Sequence, residues 1–203
     1  MGKIYYILGK SSSGKDTIYK RLLNSNLKLN NIVMYTTRPK RDGEIDKVTY
    51  NYVNEKEYLD IKNKGLLIEE RSYDTVYGIW RYFTVKDEQI DLTKNNYLII
   101  GVLDSFVSTK EYFGEDIVVP IYIEVEDGER LRRALKREMK PQNHKYAEMC
   151  RRFLSDTEDF AEEKLIKAGI TRRFINEDLD NCIAEVKSFI TDDVKNHGAI
   201  TTV

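Results

Sequence analysis

The chain has 203 residues, with 33 Lys+Arg against 34 Asp+Glu, a net charge of -1, and 41% hydrophobic and 33% charged residues. That length suits one α/β domain with a single core, and the charge balance excludes a protein whose main task is coating DNA or RNA. No apolar run approaches the ~18 residues of a membrane span and the N-terminal apolar stretch is too short for a signal peptide, so a cytoplasmic protein with no membrane partner is expected.

Lys3 to Leu8 is an apolar run broken by Gly9, which predicts a buried parallel strand. Lys15 to Leu23 carries Ile18, Leu22 and Leu23 at helical spacing. Ile32 to Tyr35 predicts a short strand, and the polar run from Thr36 to Glu44, with Pro39 and Gly43, a loop. Lys47 to Val53 predicts a strand and Glu55 to Lys64 a helix ended by Gly65. Leu66 to Glu70 and Tyr73 to Tyr77 predict strand segments of a small sheet, and Val85 to Thr93 a helix.

Tyr97 to Val102 and Ile117 to Ile123 predict two more buried strands, with Pro120 at an end or an edge of its pairing. Asp127 to Lys167 is helical and dense in charge, interrupted near Lys140-Pro141-Gln142-Asn143. Arg173 to Asn176 predicts a last strand and Leu179 to Ile190 a last amphipathic helix, followed by a polar tail expected to be disordered. Cys150 and Cys182 lie outside any metal-ligand spacing and read as reduced thiols.

The sharpest motif is Gly9-Lys10-Ser11-Ser12-Ser13-Gly14-Lys15-Asp16-Thr17. It fits G-x-x-x-x-G-K between a predicted strand and a predicted helix, the context a P-loop requires. Gly9 and Gly14 let the backbone curl so that several N–H groups face one anion. The helix start adds its positive end, and Lys15 a point charge for the outer phosphates. Asp16 stands where Ser or Thr is usual, and its carboxylate is a candidate Mg²⁺ ligand, direct or through water. The fold class is therefore α/β: a P-loop NTPase-type parallel sheet with helices on both faces.

Beside the P-loop, Thr36-Thr37-Arg38-Pro39-Lys40-Arg41-Asp42-Gly43-Glu44 resembles the TTR-x-x-R-x-GE signature of guanylate kinases. Tyr50-Asn51-Tyr52-Val53, Leu66-Leu67-Ile68-Glu69, Tyr77-Gly78 and Phe174-Ile175-Asn176-Glu177-Asp178-Leu179 are similar, in order, to further family segments. The resemblance implies a nucleoside monophosphate kinase fold: core 1–34, 91–126 and 168–192, a monophosphate-binding insertion at 35–90 with a small mixed sheet, a helical lid at 127–167, and a polar tail at 193–203. It implies that Arg38, Arg41, Tyr50 and Tyr77, with Glu44 closing the loop, hold the acceptor's phosphate, that Glu69 reads its base, and that Asn176 contacts the adenine of ATP. Two arginines three apart on a loop can converge on one phosphate.

The family's polar base partners are missing here: Met34 and Ile79 stand at two of their positions, and Gly101-Val102-Leu103-Asp104 replaces an Asp-x-Asp ending. Arg133 and Arg137 are four apart on one lid-helix face, and Arg152 falls where the family's second lid-helix arginine lies. The resemblance implies phosphotransfer from ATP with Mg²⁺, most simply to GMP, with Lys15, Arg38, Arg137 and Arg152 acting on the transferring group and Arg133 on ATP. Another nucleoside monophosphate, a sugar phosphate, a catalytically silent phospholigand-binding module and an acceptor-independent hydrolase stay open, as does the choice between monomer and dimer.

Overall fold

A computed structural model describes residues 1–75, 77–140 and 145–198. Its strands are β1 Ile4–Leu8, β2 Leu29–Asn31, β3 Tyr35–Thr36, β4 Asn51–Tyr52, β5 Leu67–Thr75, β6 Gly78–Val85, β7 Asn96–Ile100, β8 Val118–Glu124 and β9 Arg173–Ile175. Its helices are α1 Lys15–Leu23, α2 Glu55–Asn63, α3 Leu103–Phe113, α4 Asp127–Glu138, α5 Tyr146–Asp159, α6 Glu162–Lys167 and α7 Leu179–Gly198.

Five strands form a parallel sheet in the order β2-β7-β1-β8-β9. β1 is the centre, buried throughout, because its side chains feed two cores. Ile4, Tyr6 and Leu8 pack with Phe106 and Leu165 on one face, and Tyr5 and Ile7 with Ile18, Phe174 and Val186 on the other. The chain leaves β1 for the distant edge strand β2, so its two sheet neighbours come from later sequence. Such a switch point opens a crevice at the strand's carboxyl end, where the loop after Leu8 sits. Pro120 pairs with Tyr6, while β9 joins β8 only from Tyr122 onward. The proline thus lies before the second pairing begins, where its missing N–H leaves no gap in the ladder.

A second sheet, in the order β4-β3-β6-β5, joins the long antiparallel β5–β6 hairpin to short β3 and β4. β5 and β6 pair as Glu69↔Thr84, Arg71↔Tyr82 and Tyr73↔Trp80. With a period of two, those six side chains share one face. The opposite face carries Glu70 and Phe83 against Tyr58 of α2. An Asn54–Glu57 capping box starts α2.

Several expectations change in the structure. Val85 to Thr93 is not a helix: Val85 ends β6, and side chains hold the rest in turns. Gln89 accepts from the Val33 N–H, Asp87 accepts from the Tyr35 hydroxyl, and Asp91 caps its own turn at Thr93. These local bonds give the backbone an alternative to the helix ladder. The Lys47–Val53 strand shrinks to Asn51–Tyr52 with an isolated bridge at Asp46, and β2 lies just before Ile32. The two strand segments from 66 to 77 are one strand, β5, completed by β6. Residues 193–198 continue α7 instead of forming a free tail, because Tyr5 donates to Asp193 and Val194 packs on the core. The tail beyond 198 and the Pro141-Gln142-Asn143 part of the lid interruption lie outside the described residues. Cys150 is exposed and Cys182 buried, both as free thiols.

Candidate active site

The loop after β1 is built as an anion cradle. Gly9 has φ 154°, and a Cβ there would meet the Ile123 carbonyl at 2.4 Å; Gly14 has φ 88°, and its Cβ would strike Asn176 Nδ2 at 2.4 Å. Both positions therefore exclude side chains. Ser12 also takes a positive φ of 64°, and the helix that follows has no side-chain cap. No side chain thus occupies the N–H donors at the start of α1, although Thr17 and Ile18 already donate to the Gly14 carbonyl. Buried Ser12 and Ser13 hydroxyls find no partner among the described residues. Lys15 reaches the Lys10 carbonyl at 3.5 Å. Burial holds its ammonium below the ordinary lysine range, opposed by Asp16 and Asp156. Asp16 and Thr17 are exposed in the first turn.

Asn176, read from the sequence as an adenine contact, sits instead beneath the loop, 2% exposed. Its Nδ2 donates to the Ser13 carbonyl at 2.7 Å, and its own N–H to the Glu124 carbonyl at 2.8 Å. It braces the cradle against the sheet. Arg133 donates to the Asn176 carbonyl and to Glu129.

Helices α4 and α5 are tied to the loop through Arg130, a residue given no separate role in the sequence reading. It is 1% exposed, donates to the Ser11 carbonyl at 3.0 Å and to Asp156 at 2.9 Å, and also pairs with Asp127. Its guanidinium lies 4.9 Å from the Phe153 ring. The same Asp156 oxygen accepts from the Ser11 N–H at 2.7 Å. A carboxylate from α5 thus occupies one N–H donor of this loop. The sequence signal for Arg130 is the spacing of the buried α4 positions Arg130, Ala134 and Glu138, one helix stripe. Asp156 carried no local signal. Arg137 and Arg152 meet Ser11, Ser12 and Arg130 around one narrow cleft. Each also holds an acid of its own helix, Arg137 with Glu138 and Arg152 with Glu148.

In the loop after β3, Arg38 is 3% exposed and held by several partners. Glu44 accepts from its Nη1 at 3.0 Å and its Nη2 at 2.8 Å, Pro39 accepts through its carbonyl, and its Nε donates to the Tyr82 hydroxyl at 3.1 Å. Glu44 further accepts from the Arg41 N–H and the Tyr52 hydroxyl. These donors, Arg38 first, pull its carboxyl down to about 2. Glu44 is therefore the anchor of Arg38, not a group facing a phosphate. Tyr50 stacks edge-on against Tyr82, and its ring lies 5.7 Å from the Arg38 guanidinium. The Arg41 side chain is exposed at the same loop.

Tyr77, expected beside Arg38, is not there. It lies at the hairpin tip, 81% exposed, stacked on Trp80. The tyrosine that touches Arg38 is Tyr82, five residues further along β6. It stands opposite Thr36 of β3, which puts it on the Arg38 side of the sheet. Farther along this face, Glu69 is 5% exposed. Its Oε1 accepts from Thr84 at 2.8 Å, and its Oε2 finds no partner at hydrogen-bond geometry among the described residues. Burial pushes its carboxyl up, against the pull of Arg71.

The chain matches the family model for guanylate kinase over residues 1–193. The chain belongs to the guanylate kinase family. Its relatives include the guanylate kinase of Helicobacter hepaticus, 32% identical over 136 residues, which are 66% of this chain and 66% of that protein. That of Caldanaerobacter subterraneus subsp. tengcongensis is 27% identical over 191 residues, 93% of this chain and 86% of the relative. The crystal structure of guanylate kinase from Anaplasma phagocytophilum superposes with a TM-score of 0.67 at 20% identity, covering 95% of this chain and 86% of that one, a likeness of fold. No helix among the described residues is long and apolar enough to cross a membrane.

Proposed function

We propose that this chain transfers the γ-phosphoryl group of ATP to GMP. The observation that supports the reading is that one chain holds both a glycine-curled loop running into an uncapped helix start and a buried arginine with tyrosines against it. A hydrolase needs the first alone, and a silent phospholigand module the second alone.

The triphosphate enters the Gly9–Thr17 loop, where N–H groups and Lys15 neutralise its outer oxygens. The acceptor phosphate meets Arg38, Arg41, Tyr50 and Tyr82, which aim its oxygen in line with the γ-phosphorus. Glu44 keeps the Arg38 fork from turning away. Phosphoryl transfer needs positioning and charge neutralisation more than a covalent catalyst, and an acceptor phosphate ionised near pH 7 needs no dedicated base. Arg137 and Arg152, at the narrow lid cleft, meet the transferring group as the lid closes and water leaves.

The donor set fits Mg²⁺. A cation shared with nucleotide phosphates takes one or two carboxylates, not an all-protein cage. Asp16 is one exposed carboxylate beside the cradle, and no group of three or more ligating side chains exists among the described residues. Bound there with ATP, Mg²⁺ would offset charge on the β- and γ-oxygens.

The test is a coupled nucleoside-diphosphate assay with ATP, Mg²⁺ and GMP, dGMP, AMP, CMP, UMP or dTMP. Turnover confined to GMP and dGMP supports the reading. Turnover with another base moves the substrate, and ATP binding without any turnover overturns the reading.

A further inference from the structure

The base end of the proposed acceptor site lacks the polar groups that the family resemblance implies. Met34 is buried in the core, Ile79 is exposed on the hairpin, and Asp104 is exposed on α3. Yet this region is not apolar. Among the described residues, three buried polar atoms here lack a partner at hydrogen-bond geometry: Glu69 Oε2, Arg71 Nε and the Tyr6 hydroxyl. They belong to one neighbourhood, since Glu69 and Arg71 both act electrostatically on Tyr6, and Arg71 on Glu69. An unsatisfied buried polar group costs about 1–3 kcal/mol, and native structures hold few without a reason. Tyr6 and Glu69 both bear on the Ser105 hydroxyl, which leaves the second Glu69 oxygen and Arg71 Nε as the acceptor and cationic donor open to a polar ligand.

Arg71 is placed for that ligand. It follows Glu69 by two residues on the same strand face, about 7 Å along β5, on the scale of a purine's edge. Its Nη1 donates to Ser105 Oγ at 2.8 Å, and its guanidinium lies 5.7 Å from the Tyr82 ring. Ser105 is buried on α3 of the core, so the arginine is held between the two sheets. Tyr82 in turn touches Arg38 at the phosphate end. One continuous row thus runs from the phosphate arginine through Tyr82 and Arg71 to Glu69.

We infer that Arg71, oriented by Ser105, is the specificity-determining residue that takes over base recognition in this chain, reading a 6-oxopurine together with Glu69. Guanine offers adjacent donors at N1 and N2 for a carboxylate, and adjacent acceptors at O6 and N7 for a guanidinium fork. Adenine would turn an amino group toward the arginine's donors. The inference rests on the phosphotransferase reading.

The experiment compares kcat/KM for GMP and for 6-thio-GMP, in which sulfur, a poor acceptor, replaces O6. Native protein should prefer GMP by about 10-fold or more. Arg71→Met should lose about 10- to 100-fold with GMP and discriminate less than about 2-fold between the two. Equal losses with both substrates, or an unaltered preference, would mean that Arg71 only packs the cleft, and would overturn the inference. Should Arg71→Met fail to fold, Ser105→Ala removes only the orienting hydroxyl. It should raise KM for GMP about 3- to 10-fold, shrink the preference and leave kcat within about 2-fold; no change in either overturns the assignment. Native protein that binds ATP but does not turn over GMP overturns the underlying reading and this inference with it.

Discussion

Replacing Glu44 by alanine should damage both the fold and the acceptor site, by an amount the geometry bounds. Glu44 accepts four hydrogen bonds, two from Arg38 at 3.0 and 2.8 Å, one from the Arg41 N–H at 2.8 Å and one from Tyr52 at 2.7 Å. Its side chain is 19% exposed against 3% for Arg38, so truncation leaves a buried guanidinium without its counter-charge. Breaking a buried pair in this way costs roughly 3–5 kcal/mol, and the partial exposure of Glu44 argues for the lower end. About 3 kcal/mol in a domain of this size lowers Tm by about 6–12 °C. Freed from its anchor, Arg38 should also lose its aim, raising KM for GMP at least about 10-fold while leaving ATP affinity unchanged.

The pH dependence has a definite sign. The Glu44 carboxyl is drawn from its ordinary 4.5 down to about 2. Its stabilisation is therefore complete above about pH 4.5 and lost as pH falls toward 2. Thermal melts of native protein and Glu44→Ala between pH 3 and pH 7, with GMP and ATP titrations, measure all of this. A Tm shift below about 2 °C at pH 7, or a loss of ATP binding with KM for GMP intact, would refute the anchoring role.

Three further outcomes follow from the site. Lys15→Met should fold normally by circular dichroism and lose at least about 10³-fold in kcat, because transition-state charge loses its central cation. Tyr82→Phe should raise KM for GMP about 3- to 10-fold by removing the hydroxyl on Arg38, whereas Tyr77→Phe should leave steady-state kinetics within about 2-fold; the reverse pattern would return the phosphate contact to Tyr77. Asp156→Asn should bind ATP several-fold more tightly, since the Ser11 donor no longer holds a carboxylate, while its Tm falls as Arg130 loses a charged partner; calorimetric titration with ATP and a thermal melt read the two opposite effects.

The phosphate cradle was legible in the sequence because everything that makes it is local. A strand, two glycines, a lysine and a helix start lie within about one dozen consecutive residues, and the positive φ at Gly14 follows from its position alone. The Arg38–Glu44 loop was legible as a signature, but the role of Glu44 was not, since only folding turns that carboxylate back onto Arg38. The resemblance pointed to Tyr77 through its Tyr-Gly pair, whereas the length of the hairpin sets Tyr77 at the tip and Tyr82 against the arginine. Pairing of Arg71 with Tyr82 carries position 82 to the site and leaves Tyr77 at the tip. β6 itself, the turns at Asp87 to Asp91, and the meeting of Glu69, Arg71, Tyr6 and Ser105 all depend on strand register and on a helix from the other sheet. Local spacing determines where a backbone can curl around an anion; only long-range pairing, which no short window of sequence encodes, decides which side chains gather around Glu69 and Arg71.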